Sequence, residues 1–353
     1  MQVLTYKYRI KDGGSKRKTL LRWAAAVNQV WNYCNEASFT TLKNHSKWLS
    51  ENELRGLTVG AGKELGLNSQ VVQQVCKEYV QRRYRSKRAR LSWRKSFGPR
   101  RALGWIPCTN QNVKVKGSAL KFGGKNFKFW KSREIPGAIK SISFNEDALG
   151  HWFVNFMCEV EENFQEGALE LGVDLGLKTV ATISDGRQFS RDNLTKKYAE
   201  QLAMAQRAGK KMLAKRIHVK IANIRKDFNH KTANAILKDA SVVFIGDVSS
   251  AKLVKTNMAK SVLDRSWGQL KSFLVYKSGM LGTTVKEVNE SWTSRTCNDC
   301  GAIGEHKGLS GLSVRSWVCS CGAVHDRDVN AAKNILKIGL GHETPMKGIP
   351  SRG

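Results

Sequence analysis

The order of apolar patterns after Leu169 constrains the fold of this chain more than any other feature. The runs "LELGVDLGL" and "TVATISDG" predict a hairpin, and "RQFS" predicts a third strand. Helical and strand patterns then alternate, in the order helix 195–238, strand 242–248, helix 261–280, strand 283–290 and a last helix from Val329 to about Lys337. The sequence therefore predicts a βββαβαβα unit with antiparallel strands first and parallel strands later.

The charge balance indicates a polyanionic partner. Sixty Lys and Arg residues oppose 29 Asp and Glu, which gives a net charge of +31. Such an excess repels itself in a compact protein, and phosphates would relieve that repulsion with a steep dependence on salt. A basic ribosomal or membrane-surface protein is the alternative. No apolar run approaches the roughly 20 residues of a membrane span, and the N-terminus lacks a signal-peptide pattern, so we expect a cytoplasmic nucleic-acid-binding protein and no membrane partner.

The N-terminal half shows a helical stretch between two strand-rich stretches. "VLTYKYRI" alternates like a strand, and residues 103–165 alternate with Gly and Asn turns in the way typical of antiparallel sheet. Residues 18–102 have apolar residues at helical spacing instead. We therefore expect one β domain from residues 1–17 and 103–165, with a helical region over 18–102 inserted in it.

Two basic segments are candidates for phosphate contacts. The run over residues 82–101 is almost single-signed and contains interleaved aromatics, which favours backbone binding with base stacking over a merely solvated face. "NIRKDFNHK" adds a second group on the helical region before strand 242–248. The candidate residues are Arg82, Arg83, Arg85, Lys87, Arg88, Arg225, Lys226 and Lys231.

Four of the eight cysteines crowd into one short region. Cys297 and Cys300 form one pair, and Cys319 and Cys321 form the other. Four thiolates at such spacing suit a closed tetrahedral zinc site, which is structural. His306 or His325 could replace one ligand, although four cysteines make this unnecessary.

Two aspartates stand where a nuclease would hold a divalent cation. Asp174 lies in the strand pattern "LGVDLGL", where burying an unpaired carboxylate is costly unless a cation offsets it. Asp328 precedes the last helix, where Asp326 or Asp328 could instead be a helix N-cap. A salt-bridged or turn aspartate is the alternative for Asp174.

Four segments together resemble the TnpB family, the insertion-sequence proteins ancestral to type V CRISPR effectors. They are "GVDLGLKTVATISDG", "NIRKDFNHKTANAIL", "WTSRTCNDCG" and "VCSCGAVHDRDVNAAKNIL". The resemblance covers roughly residues 166–340 and implies a multidomain α+β protein. Its parts would be an RNase H-like (RuvC) nuclease domain over 166–291 and 326–340, a zinc-ribbon insertion over 292–325, and a wedge-like β-barrel carrying the helical recognition region. Residues 341–353 would be a disordered tail.

The resemblance also implies an activity. TnpB-like proteins are RNA-guided DNA endonucleases, so the expected partners are a guide RNA from the transposon end and double-stranded DNA with a short flanking motif. The expected cofactors are two catalytic Mg²⁺ ions and a structural Zn²⁺. By motif matching, Asp174 is the first metal-binding acid and Asp328 the third.

The second acid departs from the family pattern. A strand ending in Glu-Asp-Leu is usual, but here "VVFIGDV" places Gly246 at the glutamate position. Asp247 should point to the opposite face of the strand. Glu287 and Glu290 lie on the neighbouring strand pattern, and Glu290 is nearer its end, where the site should open. We therefore predict that Glu290 is a relocated second acid, with Glu287 and Asp247 as alternatives.

Two other functions remain open at this stage. A nuclease-inactive relative would bind DNA by RNA guidance and repress transcription. A transposase that needs no RNA would require a constellation for covalent strand transfer, which the sequence does not evidently contain.

Overall fold

We describe the protein from a computed structural model, which covers residues 2–98, 100–161, 167–248, 259–304 and 314–342. The chain divides into two compact units, Met1–Glu161 and Glu162–Gly353. His306 and most of the predicted disordered tail lie outside the described residues.

The first unit contains two antiparallel sheets. Its strands are β1 (Gln2–Arg9), β2 (Trp105–Thr109), β3 (Lys114–Lys116), β4 (Ala119–Phe122), β5 (Lys125–Lys128), β6 (Ala138–Glu146) and β7 (Trp152–Val160). One sheet has the order β1-β7-β6-β2, and the other has the order β3-β4-β5. Gln2 lies opposite Val160, so the first strand does join the later β segment, as the alternating pattern predicts.

Four helices lie between β1 and β2 in the sequence: α1 (Ser15–His45), α2 (Glu51–Leu57), α3 (Ala61–Glu64) and α4 (Ser69–Ser86). Buried asparagines on α1 fix the path of the basic segment that follows α4. The Asn35 side chain bonds both the N–H and the C=O of Leu91, each at 2.9 Å. The Asn32 side chain does the same for Arg94, at 2.8 and 3.0 Å. This segment is therefore held in one extended conformation.

The second unit follows the predicted βββαβαβα order. Its elements are β8 (Leu169–Asp174), β9 (Ala181–Ile183), β10 (Gln188–Phe189), α5 (Leu194–Lys197), α6 (Ala199–Arg207), α7 (Lys211–Leu237), β11 (Ala240–Gly246), α8 (Ala259–Arg265), α9 (Trp267–Leu281), β12 (Thr284–Val288), β13 (Ser316–Val318), β14 (Val324–Asp326) and α10 (Arg327–Gly339). The five-stranded sheet has the order β10-β9-β8-β11-β12. Its core strand β11 runs parallel to both β8 and β12.

Glycines let α10 pack closely on this sheet. A Cβ at Gly172 of β8 would lie 2.7 Å from the Leu336 nitrogen and overlap the Ala332 carbonyl oxygen. A Cβ at Gly339 of α10 would overlap the ring of Phe244 on β11. Residues 172 and 174 share a face of β8, because strand side chains alternate. The helix therefore covers the face that carries Asp174.

Candidate functional site

The site lies at the carboxyl ends of three neighbouring strands. Asp174 is the last residue of β8, and Gly246 is the last residue of β11. Ile245 pairs with Val173, and Gly246 pairs with Val288 of β12. Extending the first register by one residue places Gly246 beside Asp174. Laterally adjacent residues of a sheet point to the same face, so a side chain at position 246 would share the face of Asp174.

The Glu290 side chain occupies the space that Gly246 leaves free. A Cβ added to Gly246 would overlap the Glu290 Oε2 atom and lie 3.1 and 3.2 Å from the Glu290 Cβ and Cδ. Oε2 is buried and makes no hydrogen bond. A residue beyond the end of β12 thus brings its carboxylate over β11, where the side chain of residue 246 would otherwise lie.

The other two candidate acids have different surroundings. Asp247 is exposed, and its Oδ1 accepts a hydrogen bond from the Glu290 backbone N–H at 3.2 Å. Glu287 pairs with Ile245 rather than Gly246, and its Oε2 lies 3.5 Å from the Lys271 Nζ. Asp247 therefore fixes the backbone of Glu290, while Glu287 takes part in an ion pair on an exposed part of β12.

Asp326 and Asp328 have different roles at the start of α10. Asp326 is the N-cap, and its Oδ1 accepts hydrogen bonds from the backbone N–H groups of Asp328 and Val329 at 3.0 and 2.9 Å. The Asp328 carboxylate is thereby left for other partners, of which Arg315 lies 3.4 Å away. The cap ambiguity in the sequence is resolved in favour of Asp326.

The pKa values of Asp174, Glu290 and Asp328 are all raised above their ordinary values. Burial, then Asp328 and then Glu290 raise the pKa of Asp174 to about 8. Burial and the neighbouring Asp247 raise the pKa of Glu290, although the Lys271 ammonium opposes this. Burial also raises the pKa of Asp328, against the opposing charge of Arg315. A site with such pKa values favours protons or a cation.

Lys271 and Arg315 are charged neighbours that the sequence analysis missed. Lys271 lies on α9, and only 13% of its side chain is exposed. Arg315 lies just before β13, in the cysteine-containing segment. No spacing rule connects either residue with the acids, so only the folded chain reveals them.

The four predicted cysteines form a second cluster. All four Sγ atoms lie within 4.8 Å of one another, with Cys297 Sγ 3.8 Å from Cys321 Sγ and Cys300 Sγ 3.5 Å from Cys319 Sγ. Four sulfurs bound at about 2.3 Å to one tetrahedral ion would lie roughly 3.8 Å apart. His325 Nε2 lies 3.0 Å from Cys297 Sγ, so it is the nearby histidine of the two that the sequence suggested. This cluster can hold a structural metal.

The basic candidates separate into exposed and internal residues. Arg82, Arg85, Lys87, Arg88, Lys226 and Lys231 are exposed. Arg83 is only 9% exposed; it donates to the Ser38 hydroxyl and, at 2.9 Å, to the Leu49 carbonyl. Arg225 donates to the buried Asp264 carboxylate at 2.6 Å. The structure gives the guanidinium groups of Arg83 and Arg225 internal partners, and their predicted phosphate contacts stay predictions.

The described part of the chain contains no helix that is both long and apolar enough to span a bilayer. Together, the two units combine a basic, aromatic-rich helical region with a mixed sheet that gathers acids at its strand ends. These features are typical of nucleic-acid-binding nucleases.

Comparison with known proteins gives the family. Residues 267–335 match the Cas12f1-like TNB domain, and residues 155–257 match the OrfB_IS605 family, described as "Probable transposase". A Streptomyces pristinaespiralis protein named "Putative RNA-guided DNA endonuclease" is 32% identical over 62% of this chain and 58% of its own length. InsQ of Escherichia coli K12, with the same description, is 26% identical over 96% of this chain and 92% of its own length.

A solved Cas12f1–sgRNA–target DNA complex overlaps 96% of this chain and 100% of its own, with a TM-score of 0.40 and 17% identity. The family models and the curated relatives carry the assignment. Together they support assignment of the chain to the TnpB family.

Proposed function

We propose that this protein is a transposon-encoded, RNA-guided DNA endonuclease with Asp174, Glu290 and Asp328 as its catalytic carboxylates. The observation that carries the proposal is the close fit of the Glu290 side chain against Gly246. This fit brings a glutamate onto the face of Asp174. The curated relatives, which are named for this activity, support the reaction class. A nuclease-inactive repressor is not favoured, because the relocated glutamate completes the set of three acids.

The donor atoms fit Mg²⁺. All three are carboxylates, which are hard oxygen ligands of the kind that Mg²⁺ prefers. The buried Glu290 Oε2 has no hydrogen-bond partner, and a bound cation would coordinate it instead. Two bound Mg²⁺ ions would activate water and stabilise the leaving oxygen during phosphodiester hydrolysis.

The chain's own residues arrange and balance these acids. Asp174 is electrostatically coupled to both Asp328 and Glu290, so it is the acid best placed to serve both ions. Asp247 holds the backbone N–H of Glu290. Lys271 and Arg315 each place a positive charge near one acid, which limits repulsion before a cation binds.

We propose that the cysteine cluster binds Zn²⁺ and has no catalytic role. The four cysteines leave no open coordination position, in contrast to catalytic zinc sites. The domain assignment follows: a RuvC-like nuclease over 166–291 and 326–340, a zinc-binding insertion over 292–325, and a wedge-like domain from 1–17 and 103–165 carrying the helical recognition region 18–102.

The proposed partners are a guide RNA from the transposon end and double-stranded DNA with a short flanking motif. The net charge of +31 and the exposed residues Arg82, Arg85, Lys87, Arg88, Lys226 and Lys231 support binding to the phosphate backbone. Base pairing by the guide would supply most of the sequence specificity.

Guided cleavage of a plasmid library with randomised flanking sequence tests the proposal. Wild-type protein copurified with its RNA should give Mg²⁺-dependent cleavage, and Glu290→Gln should abolish it. Glu287→Gln is the matched control and should cleave like wild type. Guided binding without any Mg²⁺-dependent product would establish the nuclease-inactive alternative, and loss of cleavage only in Glu287→Gln or Asp247→Asn would reassign the second acid.

A further inference from the structure

Two buried asparagines on α10 connect the cysteine cluster with the loop that carries Glu290. Asn330 and Asn334 are each 1% exposed, and their spacing of four residues puts them on one face of the helix. Neither is a candidate ligand, and no residue of the proposed mechanism accounts for them. Burying two primary amides requires that their donors and acceptors be satisfied.

Both amides hydrogen-bond to the same short segment. The Asn330 Nδ2 donates to the carbonyl oxygens of Thr293 and Thr296, at 3.2 and 2.7 Å. The Asn334 Nδ2 donates to the same two oxygens, at 2.8 and 2.7 Å. Their Oδ1 atoms accept from Asn298, from its backbone N–H at 2.9 Å and from its side-chain Nδ2 at 3.1 Å. Segment 293–298 is thus held at both ends by one helix.

This segment lies between two proposed metal sites. On one side, the Thr293 hydroxyl and N–H donate to the Glu290 carbonyl oxygen, at 2.8 and 3.2 Å, and close the turn after Glu290. On the other side, Cys297 lies between Thr296 and Asn298, both of which hydrogen-bond to the two asparagines. The Lys337 ammonium also donates to the Asn298 carbonyl, which ties the same segment to the end of α10.

The helix also carries the third acid, on its first turn. Asp328 precedes Asn330 by two residues, and β14, which follows Cys321, runs directly into the Asp326 cap. Both cysteine pairs are therefore connected to α10, one through the asparagines and one through the chain. The separation between Glu290 and Asp328 depends on how firmly segment 293–298 sits on the helix.

We propose that Asn330 and Asn334 are positioning residues through which occupancy of the cysteine site sets the affinity of the carboxylate site for its divalent cation. This rests on the proposed function only in taking Glu290 and Asp328 as ligands of that cation. Only an amide side chain can make these contacts. An aspartate at either position would place its carboxylate oxygens against the two backbone carbonyl oxygens, and an alanine would leave the carbonyl oxygens without this donor in the interior.

A double-mutant cycle on Mn²⁺ affinity tests this coupling without relying on cleavage. Mn²⁺ binding would be measured by calorimetry on the full-length protein for wild type, Asn334→Ala, Cys321→Ser and the double variant. We expect Asn334→Ala to retain its zinc, measured by elemental analysis, and to bind Mn²⁺ about 10- to 100-fold more weakly, as for other groups that orient metal ligands. Cys321→Ser should weaken Mn²⁺ binding to a similar extent. The double variant should bind Mn²⁺ little more weakly than either single variant, because both changes release the same segment 293–298.

Controls separate positioning from general destabilisation. Lys333→Ala changes an exposed residue of the same helix and should leave Mn²⁺ affinity unchanged. If Asn334→Ala fails to fold, Asn298→Ala removes only the side-chain donor to the Asn334 Oδ1 and should show a smaller loss in the same direction. Additive effects of Asn334→Ala and Cys321→Ser, or wild-type Mn²⁺ affinity in either, would overturn the coupling. A wild type that binds Mn²⁺ yet cleaves no guided target would instead contradict the proposed function.

Discussion

At the scale of the residue, Gly246 leaves the space beside Asp174 that the carboxylate of Glu290 occupies. A glycine ends β11 beside Asp174, and the Glu290 carboxylate lies where a larger residue 246 would place its Cβ. The two positions are mutually exclusive: a side chain at 246 and the present conformation of Glu290 cannot coexist. The absence of one side chain is therefore as much part of the site as the presence of the other.

Gly246→Ala should disable the site without unfolding the protein. The added Cβ would overlap Glu290 Oε2, so the carboxylate must move, and we expect guided cleavage to fall by about 10- to 100-fold. Gly268→Ala is the matched control, because a Cβ there meets nothing within 4 Å. Cleavage rates and melting temperatures of the two variants would be compared. Equal cleavage by both would show that Glu290 does not depend on Gly246.

Asp174 should make the Mg²⁺-free protein less stable as the pH rises. Its folded pKa of about 8 lies above the ordinary value of 3.8, so the folded state binds more protons than the unfolded state between those limits. Stability from this group is present at low pH and is lost between about pH 4 and pH 8. Asp174→Asn should therefore melt higher than wild type at pH 8 in Mg²⁺-free buffer, with the difference shrinking toward pH 4. A variant that melts lower at pH 8 would show that the carboxylate is not desolvated.

At the scale of the element, the strand pattern predicted more of the site than the charge pattern did. The resemblance to the TnpB pattern identified Gly246 as the empty glutamate position, alternation placed Asp247 on the other face, and the strand pattern placed Glu290 near the strand end. The sequence favoured Glu290 over Glu287 by its position, but the contact of its carboxylate with Gly246 depends on where β12 ends and how the chain turns afterwards. The Asp326 cap likewise required the observed hydrogen bonds. Zinc-ligand spacing, by contrast, is local, and all four cysteines came from the sequence.

Helix α4 shows that a run of arginines in the sequence does not indicate which of them are buried. Arg83 faces the interior and bonds Ser38 and Leu49, whereas its neighbours Arg82 and Arg85 are exposed. Phosphate contacts and internal anchors use the same side chain, and only helix phase and packing distinguish them. The same holds for Arg225 on α7, whose partner Asp264 lies 39 residues away in the sequence.

Arg83→Ala should therefore reduce stability rather than nucleic-acid affinity. Loss of the buried guanidinium leaves the Ser38 hydroxyl and Leu49 carbonyl without this donor, and we expect unfolding free energy to fall by about 2–3 kcal/mol. Arg88→Ala, at an exposed position of the same basic run, should unfold like wild type and bind RNA more weakly. Urea titration and RNA-binding measurements at fixed salt would distinguish the pair. The reverse pattern would return Arg83 to the nucleic-acid interface.

At the scale of the whole molecule, the net charge of +31 should make assembly with RNA steeply salt-dependent. Each phosphate neutralised releases counterions, so log K should fall linearly with log salt concentration. Arg88→Ala should lower the magnitude of that slope by about one, whereas Glu287→Gln should not. Binding measured across a range of KCl concentrations checks this. A slope unchanged by Arg88→Ala would remove this residue from the set of phosphate contacts.

Moving the second acid back onto β11 tests the central claim most directly. In the double variant Gly246→Glu, Glu290→Gly, the new glutamate has the space that Glu290 vacates, on the face of Asp174. Guided, Mg²⁺-dependent cleavage should be lost in each single variant and partly restored in the double variant. A folded double variant that binds RNA and target yet cleaves no better than Glu290→Gly would contradict the exchange of positions 246 and 290.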